Sequence, residues 1–141
     1  MTVRRTSFKI VIKRIEQPFQ HDVEQELGWI CQSFGLFEPI DKDKLAFAIF
    51  RVLVQATEQG KLLTCPEIAD KVNMSRGAVI NHLNKLLLSG LIVREGRFYL
   101  ARSRSMSRTI KEIQEEVNLI FRRMEETARE LDQKFGLEIE D

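Results

Sequence analysis

The chain has 141 residues, 43% hydrophobic and 30% charged, with 22 Lys and Arg against 21 Asp and Glu. That length suits one compact domain with a long accessory helix, and the composition excludes a disordered chain. No apolar run approaches the roughly 20 residues that span a bilayer, and a net charge of +1 says nothing by itself about nucleic acid.

In chain order, the first segment, "MTVRRTSFKIVIKRIEQ", interleaves basic and apolar residues. It lacks the continuous apolar core of a secretory signal, so a cytoplasmic location is expected. Within it, Phe8, Ile10 and Ile12 alternate with Lys9, Val11 and Lys13, the spacing of a strand that Pro18 ends. A helix follows from about Asp22 to Phe34, with Val23, Leu27, Ile30 and Phe34 on one stripe and Gly35 after its end. Asp41 or Asp43 opens the next helix. Its apolar band (Leu45, Ile49, Val52, Leu53 and Ala56, widened by Phe47, Phe50 and Val54) is broad enough for burial on more than one side. Gly60 ends it.

"TCPEIADKV" starts with Thr64 and Glu67 at capping-box spacing and Pro66 in the first turn. Ile68, Ala69 and Val72 face inward. "NMS" is a three-residue turn. Ser75 caps a helix with Val79, Ile80, Leu83, Leu86 and Leu87 on its apolar side and Gly90 at its end. "LIVREGRFYL" reads as two short strands around a Glu95-Gly96 turn. The last stretch runs for about 30 residues without Pro or internal Gly. Ile110, Val117, Met124 and Leu131 lie seven apart, Ile113 and Ile120 fill the alternate positions, and Phe121, Ala128 and Phe135 broaden the seam.

A short helix (64–72), a three-residue turn (73–75), a second helix (76–88) and a hairpin (91–100) follow the order of a winged helix-turn-helix. The fold class expected is mainly α with a small β-wing, α+β, carrying a long C-terminal dimerisation helix. Residues 1–40 are expected to form an N-terminal strand and helix with accessory or dimer contacts, 41–101 the winged helix-turn-helix DNA-binding domain, and 102–141 the long dimerisation helix. In this arrangement the second helix enters the DNA major groove while the first crosses the backbone. Arg76 and Asn81 have base-edge chemistry. Gly77 and Ala78 leave room for the groove wall. His82 and Lys85 suit phosphates. Ser75 and Thr64 begin helices whose amides can meet a phosphate. Arg94 and Arg97 flank the wing tip. The charge pattern agrees with these assignments. Residues 61–108 carry nine basic and three acidic side chains, a net +6, while 109–141 carry a net −5.

Thr64, Glu67, Ile68, Ala69, Ser75, Ala78, Val79, His82, Leu83, Leu86, Gly90, Leu91, Ile92 and Gly96 fall in one pattern. It reads T-x-x-E-[IL]-A, S-x-x-[TA]-V-x-x-H-L, L-x-x-x-G-[LI]-[IV], then a wing with a glycine. In this the stretch from Thr64 to Ala101 resembles the winged-helix domains of ArsR- and MarR-type prokaryotic transcriptional regulators. The flanking helices resemble those of small archaeal regulators of the same kind. The resemblance implies a DNA-binding regulator. It does not extend to metal sensing, because Cys65 stands alone where such sensors carry a Cys-x-Cys pair, and no histidine follows His82.

Cys31 and Cys65 are expected to be buried free thiols, and neither they nor His21 and His82 have the spacing of a zinc site. No metal or cofactor is expected. No nucleophile-base set, carboxylate pair or glycine-rich phosphate loop is placed for catalysis. The expected activity is sequence-specific binding of double-stranded DNA by a homodimer, with no membrane partner and an effector left open. The alternatives are a winged helix used as a protein-protein module and one that binds RNA.

Overall fold

The computed structural model describes residues 10–36 and 45–137. Helix α1 (Val23–Ser33) begins at Asp22, whose Oδ1 accepts the amide of Gln25 at 2.8 Å. Leu27 and Cys31 are buried on its inner face, and the chain leaves it through Gly35 at φ +68°. Val23 is 68% exposed, so the first turn of the expected stripe projects beyond the core.

The strand expected over Phe8–Ile15 does not form in the described part of that segment, residues 10–15. Alternation alone does not make a strand, which also needs a partner. Here the polar groups go to a helix instead. The Lys13 amide donates to the Ser33 carbonyl at 2.7 Å, and the Trp29 indole N–H donates to the Ile15 carbonyl at 2.9 Å. Phe8, Lys9 and the capping candidates Asp41 and Asp43 lie outside the described residues.

Helix α2 (Leu45–Glu58) is the centre of the domain. Ala46, Ile49, Phe50 and Leu53 are fully buried, as the wide apolar band requires. It packs against α1, α3 (Cys65–Val72), α4 (Arg76–Ser89) and the wing. Strand β1 (Leu63–Thr64) precedes α3 directly, and β2 (Ile92–Glu95) and β3 (Phe98–Ala101) follow α4. The antiparallel sheet runs in the order β1-β3-β2, with Thr64 opposite Phe98 and Ile92 opposite Ala101. Two residues are too few for alternation to reveal, which is why β1 escapes a reading by periodicity.

Ile68 of α3, Val79, Leu83 and Leu86 of α4, Leu91, Ile92 and Tyr99 close the core. Thr57 is buried with its hydroxyl oxygen accepting the Ala101 amide at 2.9 Å, which ties α2 to the end of the wing. Gly90 takes φ +86° at the end of α4, a left-handed conformation that suits glycine.

Helix α5 (Met106–Lys134) is 29 residues long and begins at the cap Ser105. Only its first three turns meet the domain. Thr109 and Ile113 are buried, and Met106, Ile110 and Val117 are half-buried against the same core. Ile113, expected on an intersubunit seam, is therefore a core residue of its own chain, because the hairpin delivers α5 back across the domain. Beyond it Ile120, Phe121, Met124, Leu131 and Phe135 are 43–71% exposed. Arg102, just after β3, fixes the base of α5. Its guanidinium makes two bonds to Glu116, at 2.8 and 3.2 Å, and lies 3.7 Å from Glu112.

Candidate nucleic-acid interface

Helices α3 and α4 meet at a tight elbow. Asn73 adopts φ +57° after α3, its neighbour Met74 donates its amide to the Ala69 carbonyl at 3.0 Å, and Ser75 starts α4. Ala69 and Val79 are small and buried where the two helices approach. The Cys65 thiol lies 3.8 Å from the Arg76 carbonyl across the elbow. Cys65 is half-exposed and Cys31 fully buried, so only one of the two thiols is the buried group expected. Burial pushes the Cys31 thiol up to about 12.

The N-termini of α3 and α4 differ in what they can bind. At α3 the capping box is complete. The Thr64 hydroxyl donates to Glu67 Oε1 at 2.8 Å and the Thr64 amide donates to the same oxygen at 3.1 Å. Both donors of Thr64 are thus occupied by a carboxylate of the same chain, and a phosphate at this end would meet the Glu67 charge. The phosphate role expected for Thr64 does not fit this geometry. The same bonds from Thr64, with the positive charges of Arg97 and Lys71 added, lower the Glu67 carboxyl below its ordinary value.

At α4 the Ser75 hydroxyl oxygen accepts the Ala78 amide at 3.2 Å, and the first turn carries no acidic residue. Arg76 and Gly77 are exposed there. A Cβ on Gly77 would meet nothing within 4 Å, so packing inside the chain does not require glycine. Farther along, Asn81, Asn84, Lys85 and Leu88 share the exposed face with Gly77. Asn84 was missed in reading the sequence, although it stands three residues after Asn81 and one turn before Leu88. Ala78 and His82 are half-buried, and His82 Nδ1 is turned inside. His82 therefore stands on the flank of the outer face.

The wing turns one residue later than expected. Glu95 is the last residue of β2, opposite Phe98, and the turn is Gly96-Arg97. Gly96 has φ +59°, while Arg97 is not among the residues with positive φ. That is the pattern of a type II′ turn, in which glycine comes first. Arg97 is thus at the tip, its guanidinium 5.2 Å from the Phe98 ring centre. Arg94 lies on the strand, 5.5 Å from the Tyr99 ring centre, with Nε donating to the Gly96 carbonyl at 2.7 Å. Both cations are held along the hairpin by aromatic faces. Because β3 pairs with β1, the tip stands beside Glu67 at the start of α3.

Not all of the sequence's central positive charge reaches this face. Arg102 is bound to Glu112 and Glu116, and Arg108 lies 4.0 Å from Glu112. Arg76, Lys85, Arg94 and Arg97 are exposed. A separate groove of about 420 Å³, lined by Glu16, Glu24, Trp29 and Phe47 among others, shares no residue with them.

Residues 43–93 match a family model described as winged helix-turn-helix DNA-binding. The match spans α2, α3 and α4 and reaches into β2. No curated protein and no solved structure matches the chain. The fold is a winged helix: mostly helical, with one small antiparallel sheet. The matched span and the fold agree: residues 43–93 are similar to a winged helix-turn-helix DNA-binding domain, which supports a DNA-binding regulator. Among the described residues no helix is long and apolar enough to cross a membrane.

Proposed function

We propose that this protein is a cytoplasmic, homodimeric transcriptional regulator of the ArsR/MarR type that reads a specific duplex sequence and acts by binding rather than by catalysis. Helix α4 enters the major groove and the wing follows the flanking backbone. The observation that carries this reading is the outer face of α4. It combines a helix N-terminus without a carboxylate, two side chains able to bond base edges (Arg76 and Asn81), and a glycine that the chain's own packing does not require. Asn84 joins the base-facing set, and Lys85 and Arg97 the phosphate-facing one.

Selection of bound sites from random duplex DNA, followed by gel shifts at several salt concentrations, tests it. Arg76→Ala and Asn81→Ala should each cost about 1–3 kcal/mol on the selected site and relax the preferred base there. Arg97→Ala should weaken all sequences alike and reduce the salt slope by about one unit. Unaltered binding by all three variants would remove the assignment of this face. Preference for structured RNA over the duplex would replace it with the RNA-binding alternative.

A further inference from the structure

Among the described residues nothing covers Ile120, Phe121, Met124, Leu131 and Phe135 in the second half of α5, and the spacing of that face is symmetric. Ile120 and Phe135 are equidistant from a point between Thr127 and Ala128, and so are Met124 and Leu131. We infer that α5 pairs with α5 of a second copy in antiparallel register about that point, so the two DNA-binding domains stand at opposite ends of a shared two-helix rod. The inference rests on the homodimer reading above and adds its geometry.

Three observations support the antiparallel direction. The first is steric. On a helix that turns about 100° per residue, Met106, Ile110, Ile113 and Val117 lie on the same face as Ile120, Met124, Ala128, Leu131 and Phe135. The first group is seated on its own domain, and the second is open. In a parallel pair both domains would have to fit between the two helices. In an antiparallel pair each domain lies beyond the end of the partner helix, and the face stays continuous. The second is packing. The antiparallel register sets Ile120 against Phe135 of the second copy and Met124 against Leu131. The small residues Thr127 and Ala128 then fall at the centre, where the backbones come closest. The third is charge. Antiparallel helices bring like edges together, so Arg123 meets Glu130 of the second copy, twice by symmetry. In the parallel register the same positions face Ala128 and Phe135, and that complement is lost.

Disulfide trapping in the full chain, with Cys65→Ser as background, tests the arrangement alongside the mass of the particle in solution. Cys31 is buried and stays. The expected result is a dimer in which Ala128→Cys cross-links to itself. Met124→Cys and Leu131→Cys should each remain uncross-linked alone, since antiparallel copies of one such residue are about 10 Å apart along the axis, and cross-link when co-expressed. All three substitutions lie on exposed positions, so the fold survives them. Cross-linking of Met124→Cys or Leu131→Cys alone means a parallel pair and overturns the proposal while leaving the dimer standing. A dimer that none of the three traps puts the interface elsewhere and overturns it as well. A monomeric mass overturns both the rod and the dimer, and a gel shift on the same sample reports separately whether the DNA-binding reading holds.

Discussion

Glu67 bonds Thr64 at the start of α3 and so titrates lower in the folded chain than in the unfolded one. Its contribution to stability is therefore present above the unfolded carboxyl value, about 4.3 for glutamate, and lost as pH falls through the folded value. Glu67→Gln keeps a side chain able to cap but removes this dependence. Urea unfolding at pH 7 and at pH 3 should find the two proteins further apart at the higher pH; an equal gap at both would count against the capping account. The capping box was legible in the sequence because it depends on two residue types three apart. The fate of the phosphate role expected at Thr64 was not, because it depends on where the Glu67 carboxylate points. The thiols divide in the same way. Spacing alone does not separate Cys31 from Cys65, whereas burial does. A thiol reagent at pH 8 should modify Cys65 in the native protein and reach Cys31 only on unfolding. Two equally fast thiols would contradict the burial of Cys31.

At the scale of elements, α2, α3, α4 and the long α5 were readable from helical periodicity, joined by a cap at α3 and α4 and by a terminal glycine at α2 and α4. The segment 10–15 before α1, which joins no sheet, and the two-residue β1 were not, since strand pairing is a tertiary property. The wing turn was displaced by one residue because Glu95-Gly96 and Gly96-Arg97 both contain the glycine, and only the register of β2 on β3 separates them. Within α4, Gly77→Ala distinguishes packing from recognition. Alanine should raise the stability of the free protein by up to about 0.5–1 kcal/mol, since glycine is the poorer helix former and the space is open. The same substitution should weaken DNA binding where a groove wall approaches. Calorimetry and gel shifts on one preparation measure both; improved stability with unchanged binding would assign Gly77 no part in recognition. In α5, Ile113→Ala should cost about 2–5 kcal/mol because it empties a core site, whereas Ile120→Ala should leave the unfolding of an isolated subunit almost unchanged. Chemical denaturation at low protein concentration makes the comparison.

For the whole molecule, the apolar seam of α5 was visible in the sequence, but its division into two halves was not. Periodicity reports a face and is silent about which part of it an element's own domain covers. Replacing both Met124 and Leu131 with Lys should halve the particle mass and leave the domain folded, with a sharp fall in affinity for a two-half-site duplex and little change on a single half-site. Light scattering and gel shifts measure the two effects, and an unchanged mass would place the interface off this helix. The antiparallel rod also changes the expected operator. Counting along the helices, the midpoints of the two seated stretches, Met106 to Val117 in each copy, are roughly 50 Å apart. The half-sites of one operator should then be separated by more than the single turn, about 34 Å, of a compact side-by-side dimer.

The Arg102 clamp has a mechanical consequence. The strand that carries the wing's aromatic supports runs into α5 through a short connection, and one guanidinium binds the exit of that strand to Glu112 and Glu116. The part of the helix beyond Val117 is thus an arm about 26 Å long, anchored beside the wing. A force applied to that arm is carried through Arg102 to the end of β3.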